Sequence, residues 1–524
     1  MKIALVHCPV WGTREPPLSI VSLAASLKSK GHEVKSYDIN NRLYKSRSEN
    51  MQNLWAWEQS FFWYDKESVK VYFSTLNSVL KSYYDEILAP NPKVIGFSIA
   101  ASSYYATLEF AKELKKLNKD LIIVFGGKFF NAKTNIDRAF NESPVDFIIQ
   151  GEGDMVLPEL AEMLEKNENP AKCPGVYFKD NVKVLYAGES AQLKNLDNLP
   201  YMDFSDLKIC DYDDNEHIAI MSSRGCVWNC SFCSSREFWN GYREMSAERL
   251  HQEIAYHKSY FPEKCHIDFQ DLVFNANISR LEEICDLLIN YPPFGDKLVW
   301  TANAIVNAKM TKPIIEKMAK AGCKKLIFGI ESGSQRVLKL MNKNYNINDA
   351  KRIIKECSEE GIKVTGNFMF GFPGESDVDF KETLDFIRDT GKYFERVYPS
   401  RSYCAIEESS EMYSNPGKFG IKIPFSHHLY WESLDGKNTY PVRLKRCKEF
   451  EKLCLDLGVR IDCGVKTSVE ADEWFNLGYY YEFIGDLKKA IEYFDRFLKI
   501  DPKNEVIVNK LRGLKTKQQA LAEK

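Results

Sequence analysis

His217-Ile218-Ala219-Ile220-Met221-Ser222-Ser223-Arg224-Gly225-Cys226-Val227-Trp228-Asn229-Cys230-Ser231-Phe232-Cys233 is the stretch from which the rest of the 524-residue chain can be placed. Residues 217–221 read as a buried strand, and the strand runs into a loop that carries three thiols within eight residues. Three thiolates with no fourth cysteine at close spacing can hold three irons of a four-iron four-sulfur cubane and leave one iron open to substrate. An open iron points to catalysis. Zinc is the competing reading, but structural zinc prefers four closed ligands in paired knuckles, and no second knuckle follows here. Three core thiols is the bland reading, and a loop opened by Arg224-Gly225 fits it poorly.

Downstream, short apolar runs alternate with amphipathic segments. Strands are expected over 217–221, 266–269, 298–302, 325–329, 363–368 and 396–400, with helices such as 247–258, 279–290 and 378–390 between them. Six βα units over 216–405 predict a partial (β/α)6 barrel of the TIM type. Residues 406–468 are irregular and then helical, and are expected to close one mouth of the barrel and to meet the substrate.

Upstream, residues 1–165 predict a doubly wound, Rossmann-like parallel sheet, with strands near 3–7, 33–38, 94–99, 121–125 and 147–150. Ligands of such sheets bind beyond the carboxyl ends of the strands. Those ends here carry Pro16-Pro17, Ser98, Gly126-Gly127 and Gly151-Glu152-Gly153, which let backbone approach a ligand; the plainer reading is that βα turns favour glycine. An aromatic, helical insert over 43–90 holds Trp55, Trp57, Phe61, Phe62, Trp63, Tyr64 and Tyr83-Tyr84, and packs over a ligand or over the sheet. Residues 166–215 read as a hairpin followed by a linker.

The composition excludes several classes. With 44% hydrophobic, 27% charged and 13% aromatic residues the chain is an ordinary globular protein, not a disordered or collagen-like one. A formal charge of -2 leaves no global basic field for nucleic acid, and no apolar run is long enough for a membrane span. Fourteen scattered cysteines fit a reducing compartment, so a cytoplasmic location is expected. At the end of the chain, Trp474, Leu477-Gly478, Tyr481, Ala490, Phe494 and Pro502 fall at the offsets of one tetratricopeptide unit over 469–524. A single repeat cannot bury its own face, so it must lean on a neighbouring element or dock a partner protein. Docking predicts that truncation before Val469 spares the chemistry.

The CxxxCxxC loop, with an aromatic before its last cysteine, resembles that of the radical S-adenosylmethionine (SAM) enzymes. The strand-end stretches Gly329-Ile330-Glu331-Ser332-Gly333 and Gly366-Asn367-Phe368-Met369-Phe370-Gly371-Phe372-Pro373-Gly374-Glu375 resemble the superfamily's cobalamin-linked and methylthiotransferase branches. The N-terminal stretches just quoted, with Leu18, Leu23-Ala24-Ala25, Gly31-His32 and Asp38, resemble the cobalamin-binding domain fused to that branch. The resemblance implies a [4Fe-4S] cluster on Cys226, Cys230 and Cys233. It implies SAM contacts from Phe232, Asp271, Glu331, Ser332, Asn367 and Gly371. For cobalamin it implies contacts from Pro16, Pro17, Leu18, Ser98, Gly126, Gly127, Gly151, Glu152 and Gly153.

The chain departs from the family pattern in places. No DxHxxG motif is present, so base-off cobalamin without a histidine ligand is expected, with His7 and His32 structural. Gly-Gly-Pro appears as Gly126-Gly127-Lys128, Pro-Pro-Leu-Gly as Pro16-Pro17-Leu18-Ser19, and Leu272 follows Asp271 where the family often pairs aspartates.

The resemblance implies reductive cleavage of SAM to a 5'-deoxyadenosyl radical, abstraction of a substrate hydrogen, and transfer of a methyl group from methylcobalamin to an unactivated carbon. Electrons would come from a flavodoxin- or ferredoxin-type donor. The substrate would be a small molecule or a peptide, met by candidates Arg401, Tyr403, His427, His428 and Trp431. A second reading keeps the cofactors and ends in rearrangement, cyclisation or oxidation. A third, of another class, is a non-catalytic iron-sulfur scaffold that binds a peptide through its repeat. Methylthiolation of transfer RNA fits less well, for want of a basic C-terminal domain.

Overall fold

A computed structural model describes all residues except 48–50, 52–53, 56–59, 214–216, 262–265, 400–403, 425–427, 462–468 and 523–524. The chain divides into two compact units. The first comprises 1–227, 235–303 and 320–323, and the second 228–234, 304–319 and 324–524.

The first unit opens with β1 (Lys2–His7), α1 (Leu18–Ser29) and β2 (Glu33–Asp38), then the insert α2 (Ile39–Ser46), α3 (Ser60–Trp63), α4 (Lys66–Thr75) and α5 (Asn77–Leu88). It continues through β3 (Val94–Ser98), α6 (Tyr104–Leu117), β4 (Ile122–Gly126), α7 (Lys133–Glu142), β5 (Phe147–Ile149) and α8 (Gly153–Glu165). The hairpin β6 (Val176–Asp180) and β7 (Lys183–Tyr186) follows. Strand order is β2-β1-β3-β4-β5-β6-β7. The first five are parallel; β1, β3, β4 and β5 are largely apolar because helices cover both faces, while the edge strand β2 exposes Glu33 and Lys35. The doubly wound domain is therefore as expected. The hairpin is not a separate module, since β6 pairs antiparallel with β5 through Phe147 and Phe178 and extends the sheet.

The aromatic insert packs over the sheet. Trp63, Tyr72, Phe73 and Tyr84 are buried in one core with Val6, Phe97 and Phe125. Trp57 lies outside the described residues. The linker that follows the hairpin is strapped down as well: Lys28 pairs with Asp203 at 2.6 Å, Asn41 Nδ2 donates to the Asp211 carbonyl at 3.1 Å, and the Tyr212 hydroxyl donates to Asp38 at 2.8 Å.

The same unit holds β8 (His217–Ile220), β9 (Ser223–Arg224), α9 (Ser235–Trp239), β10 (Arg243–Glu244), α10 (Ala247–His257), β11 (His266–Phe269), α11 (Ile278–Asn290) and β12 (Val299–Ala304). Strands β8, β11 and β12 are parallel neighbours. Ser246 caps α10 by accepting from the Arg249 N–H at 3.1 Å, which fixes where the helix starts.

The second unit carries α12 (Lys312–Lys320), β13 (Cys323–Glu331), α13 (Gln335–Leu340), α14 (Ile347–Glu359), β14 (Lys363–Phe368), α15 (Asp377–Thr390) and β15 (Arg396–Pro399). Strands β13, β14 and β15 are parallel neighbours. The first unit thus carries three of the six parallel strands expected for the barrel and the second unit the other three. Then come α16 (Glu411–Ser414), β16 (Ile421–Lys422), β17 (Glu432–Ser433), α17 (Tyr440–Asp456), α18 (Val469–Phe483), α19 (Leu487–Leu498) and α20 (Glu505–Ala522).

The last three helices share a small core of Ala471, Ala490, Phe494, Phe497, Ile507, Leu511 and Leu514. They lean on α17. The Tyr440 hydroxyl donates to Asn476 at 3.2 Å, Tyr480 packs on Tyr440 with ring centroids 5.4 Å apart, and buried Lys448 pairs with Asp472. Among the described residues no helix is long and apolar enough to cross a membrane.

Candidate active site

At the carboxyl ends of β1, β3, β4 and β5 lies a cavity of about 640 Å3. Pro16, Pro17, Leu18, Ser98, Gly126, Gly127, Gly151, Glu152 and Gly153, all assigned to one ligand by resemblance, line it together. Its opposite wall is Met221, Asp268, Gln270 and Leu272, at the ends of the first barrel strands of the same unit. Gln270 Nε2 joins the two sides by donating to Glu15 Oε2 at 3.2 Å and to Asp268 Oδ2 at 3.2 Å. Gly127 has φ +112°, and a Cβ there would stand 2.4 Å from the Ile99 carbonyl oxygen. Only glycine permits that approach, which leaves bare backbone on the cavity wall.

His7 lies on this wall beside Ser98, only 4% exposed. Burial lowers its pKa below the ordinary value despite Asp38 nearby, so the ring is neutral near neutrality. His32, by contrast, sits against the chain's amino terminus, which lies 3.2 Å from its Nδ1.

Glu152 faces arginines. Its Oε2 takes Arg224 Nη1 at 2.5 Å, and its Oε1 takes Arg243 Nη2 at 2.6 Å. Asp154 accepts from Arg224 Nη1 at 2.8 Å and from Ser22 Oγ at 2.5 Å. Burial alone would raise the Asp154 pKa, but Arg224 and Ser22 hold it below the usual carboxylate range.

Arg224 leads straight into the cysteine loop. Cys226 is half-buried in the first unit, and Cys230 and Cys233 are half-buried in the second. Among the described residues no group of three or more His, Cys, Asp or Glu side chains is arranged to hold a single metal ion. A cubane asks for something different, one thiolate on each of three irons, and the donor chemistry of this loop suits it.

A segment that carries no motif braces the loop. The Ser231 N–H donates to the Met341 carbonyl at 3.0 Å, and Asn342 Nδ2 donates to the Asn229 carbonyl at 2.6 Å. Trp228 stacks on Tyr345 with centroids 5.8 Å apart, under the Lys343 ammonium at 5.5 Å. The Tyr345 hydroxyl donates to the Ile330 carbonyl at 2.6 Å.

The residues assigned to SAM divide. Phe232 packs half-buried beside Met341, Met369 and Phe372, and Asn367 lies half-buried on β14. Glu331 ends β13 at φ +64° with its carboxylate on Lys343 at 3.0 Å. Gly371 donates its N–H to Glu375 at 2.6 Å, and its carbonyl accepts from Asn438 at 2.9 Å.

Ser332 turns inward: it is fully buried, 3.2 Å from the Thr383 hydroxyl, so its side chain holds α15 rather than facing a ligand. Asp271 is fully buried and accepts from the Ser222 N–H and hydroxyl. Burial pushes its carboxyl up to about 6.

Of the substrate candidates, Arg401, Tyr403 and His427 lie outside the described residues. His428 is partly exposed, against Tyr413 at 5.2 Å. Trp431 does not face substrate. It is 0% exposed, donates its indole N–H to the Cys404 carbonyl at 2.7 Å, and lies under the Arg443 guanidinium at 3.9 Å. An aromatic close after two histidines suggests a pocket wall, but its ring completes a core.

Comparison with known proteins places these features. The radical SAM superfamily model matches residues 220–387, and a tetratricopeptide repeat model matches 471–504. A protein described as an uncharacterized methyltransferase from Pyrococcus horikoshii is 27% identical over 400 residues, covering 74% of this chain and 78% of the relative. The anaerobic magnesium-protoporphyrin IX monomethyl ester cyclase of Synechocystis is 23% identical over 301 residues, 56% of this chain and 59% of the relative. Among solved structures, the radical SAM methyltransferase TsrM from Kitasatospora setae, with cobalamin and a [4Fe-4S] cluster bound, superposes with a TM-score of 0.60. That match has 15% identity and covers 80% of this chain and 76% of that one.

Fold and site together define a radical SAM enzyme, and the fold is shared with a solved structure that holds cobalamin. Residues 220–387 carry the radical SAM domain, and residues 471–504 carry one tetratricopeptide repeat.

Proposed function

We propose that the chain binds a [4Fe-4S] cluster on Cys226, Cys230 and Cys233, SAM, and base-off cobalamin, and methylates an unactivated carbon. One observation carries this reading: the nine residues assigned to a corrinoid from sequence line a single cavity whose far wall is made of barrel strand ends. The bound cofactors would supply SAM cleavage, hydrogen abstraction and the methyl group.

The chain's part is placement and exclusion of water. Gly127 offers backbone to a flat ring, the apolar wall of Leu18, Leu23 and Leu157 excludes water, and the segment 341–345 fixes the cysteine loop. The substrate is a small molecule or peptide, the electron donor is of the flavodoxin or ferredoxin type, and the location is cytoplasmic, where cluster thiolates survive.

The test is anaerobic reconstitution followed by cobalamin analysis and incubation with methyl-deuterated SAM. Near one corrinoid per chain and label in the product are expected. Failure to cleave SAM with an intact cluster would leave the scaffold reading.

Two observations favour variants. The likeness to a cyclase supports a reaction that keeps the cofactors and moves no methyl group, in which case the label stays out of the product. His7, a histidine on the cavity wall, would be the residue to ligate a bound corrinoid, in place of the ligand-free binding expected from sequence. Nitrogen splitting in the cob(II)alamin spectrum, lost in His7→Ala, would establish it.

A further inference from the structure

We propose that Glu152 and Asp154 are positioning residues for the first cluster ligand, and that through Arg224 they tie the setting of Cys226 to the loop that walls the cavity. The inference rests on the proposed function in taking the cavity as the corrinoid site and the loop as the cluster site.

Three features of the first unit carry it. Arg224 is separated from Cys226 by one residue, Gly225, and that residue has no slack: its φ is +83°, and a Cβ on it would stand 1.9 Å from the Gly241 carbonyl oxygen. Arg224 in turn is fixed on both sides. Its guanidinium reaches Glu152 at 2.5 Å and Asp154 at 2.8 Å, and its plane lies over Trp239 at 5.4 Å. The two carboxylates belong to the turn 151–154 that opens α8 and lines the cavity, and Asp154 is also bonded to Ser22 on α1, another cavity residue.

The array is dry. Side-chain exposure is 7% for Arg224, 14% for Glu152 and 9% each for Asp154 and Arg243. Four buried charges are a costly way to fill a core, and their best-attested use is to impose one register where apolar packing would accept several. A turn displaced by a ligand in the cavity would pull on Arg224 through both carboxylates, and the constrained Gly225 joins Arg224 directly to Cys226.

The experiment compares Glu152→Gln and Asp154→Asn with the wild-type chain after anaerobic reconstitution. Iron release to a chelator and the spectrum of the reduced cluster report on Cys226, and uptake of hydroxocobalamin reports on the cavity. Expected are iron release about tenfold faster and an altered cluster spectrum in both variants, with corrinoid uptake by Asp154→Asn within about twofold of wild type, as for other groups that orient a metal ligand from behind.

Glu152→Asp keeps the charge and shortens the reach, so it should shift iron release in the same direction by less; it decides the matter if the neutral variants do not fold. Arg243→Lys should change the cluster less than Glu152→Gln does, because it leaves both carboxylates on Arg224. Unchanged iron release in folded variants, loss of corrinoid uptake with an unchanged cluster, or an Arg243→Lys effect equal to that of Glu152→Gln would each overturn the proposal. If the wild-type chain takes up no corrinoid, the functional reading fails, and the iron-release comparison still decides the role of the carboxylates.

Discussion

Glu375 shows how burial sets the chemistry of a single group. Its Oε2 accepts from the Gly371 N–H at 2.6 Å and from Arg446 at 2.8 Å, while Oε1 has no hydrogen-bond partner among the described residues. Burial pushes the carboxyl up to about 7, against the pull of Arg446 and Gly371. A proton on Oε1 is thus held more tightly in the folded chain than in the unfolded one, where the group titrates near its ordinary 4.5. The stability this group contributes is full below that value and is lost as pH rises through about 7. Urea unfolding of Glu375→Gln should therefore lose the slope that wild type shows across this window, where each tenfold gain in proton affinity on folding is worth about 1.4 kcal/mol. A flat wild-type profile would sink the assignment. Gly127 makes a second prediction at this scale. Gly127→Ala, forced into the Ile99 carbonyl, should cost about 2 kcal/mol or more by denaturant titration, while a cost near zero would mean that the turn can open.

At the scale of elements, the barrel strands and the five parallel strands of the first domain were legible because apolar runs bounded by turn residues report directly on burial. The cavity residues were legible for a related reason: strand ends in a doubly wound sheet converge on one edge. Hidden were the pairings that join residues far apart in the chain. Nothing near Glu152 announces Arg224 or Arg243, and nothing near Trp228 announces Lys343 and Tyr345, more than a hundred residues on. Trp431 and Ser332 were misplaced because one sequence does not show which side of an element faces the core.

The terminal repeat belongs here too. Sequence leaves it free to dock a partner, yet α18 covers Tyr440 and supplies Asp472 to buried Lys448. Truncation before Val469 should therefore lower the melting temperature of the chain, and Asp472→Asn should cost about 1.5 kcal/mol, since Lys448 loses one charged partner and keeps Glu451 at 2.9 Å. Unaltered melting in both would restore the picture of an independent docking module.

Across the whole molecule, the chain places its cofactor candidates by local means. The corrinoid candidates share one wall system in the first unit. The loop after β9 is braced from within the second unit by 341–345. Limited proteolysis should respect this arrangement. Residues 187–213, which sequence reads as a linker, are tied by Lys28–Asp203, Asn41–Asp211 and Tyr212–Asp38, and should resist cleavage under native conditions. Rapid cutting there would contradict the ties.

Those ties also bear on how the chain can be recombined. Asp203, Asp211 and Tyr212 come after the hairpin in sequence but complete the surface of β2, α1 and α2. A chimera that takes its corrinoid-type domain from a relative and joins near residue 165 would inherit a sheet without its edge hairpin and a foreign strap with no matching partners. The exchangeable cassette is longer than the domain it delivers, because the strap must travel with the sheet it completes.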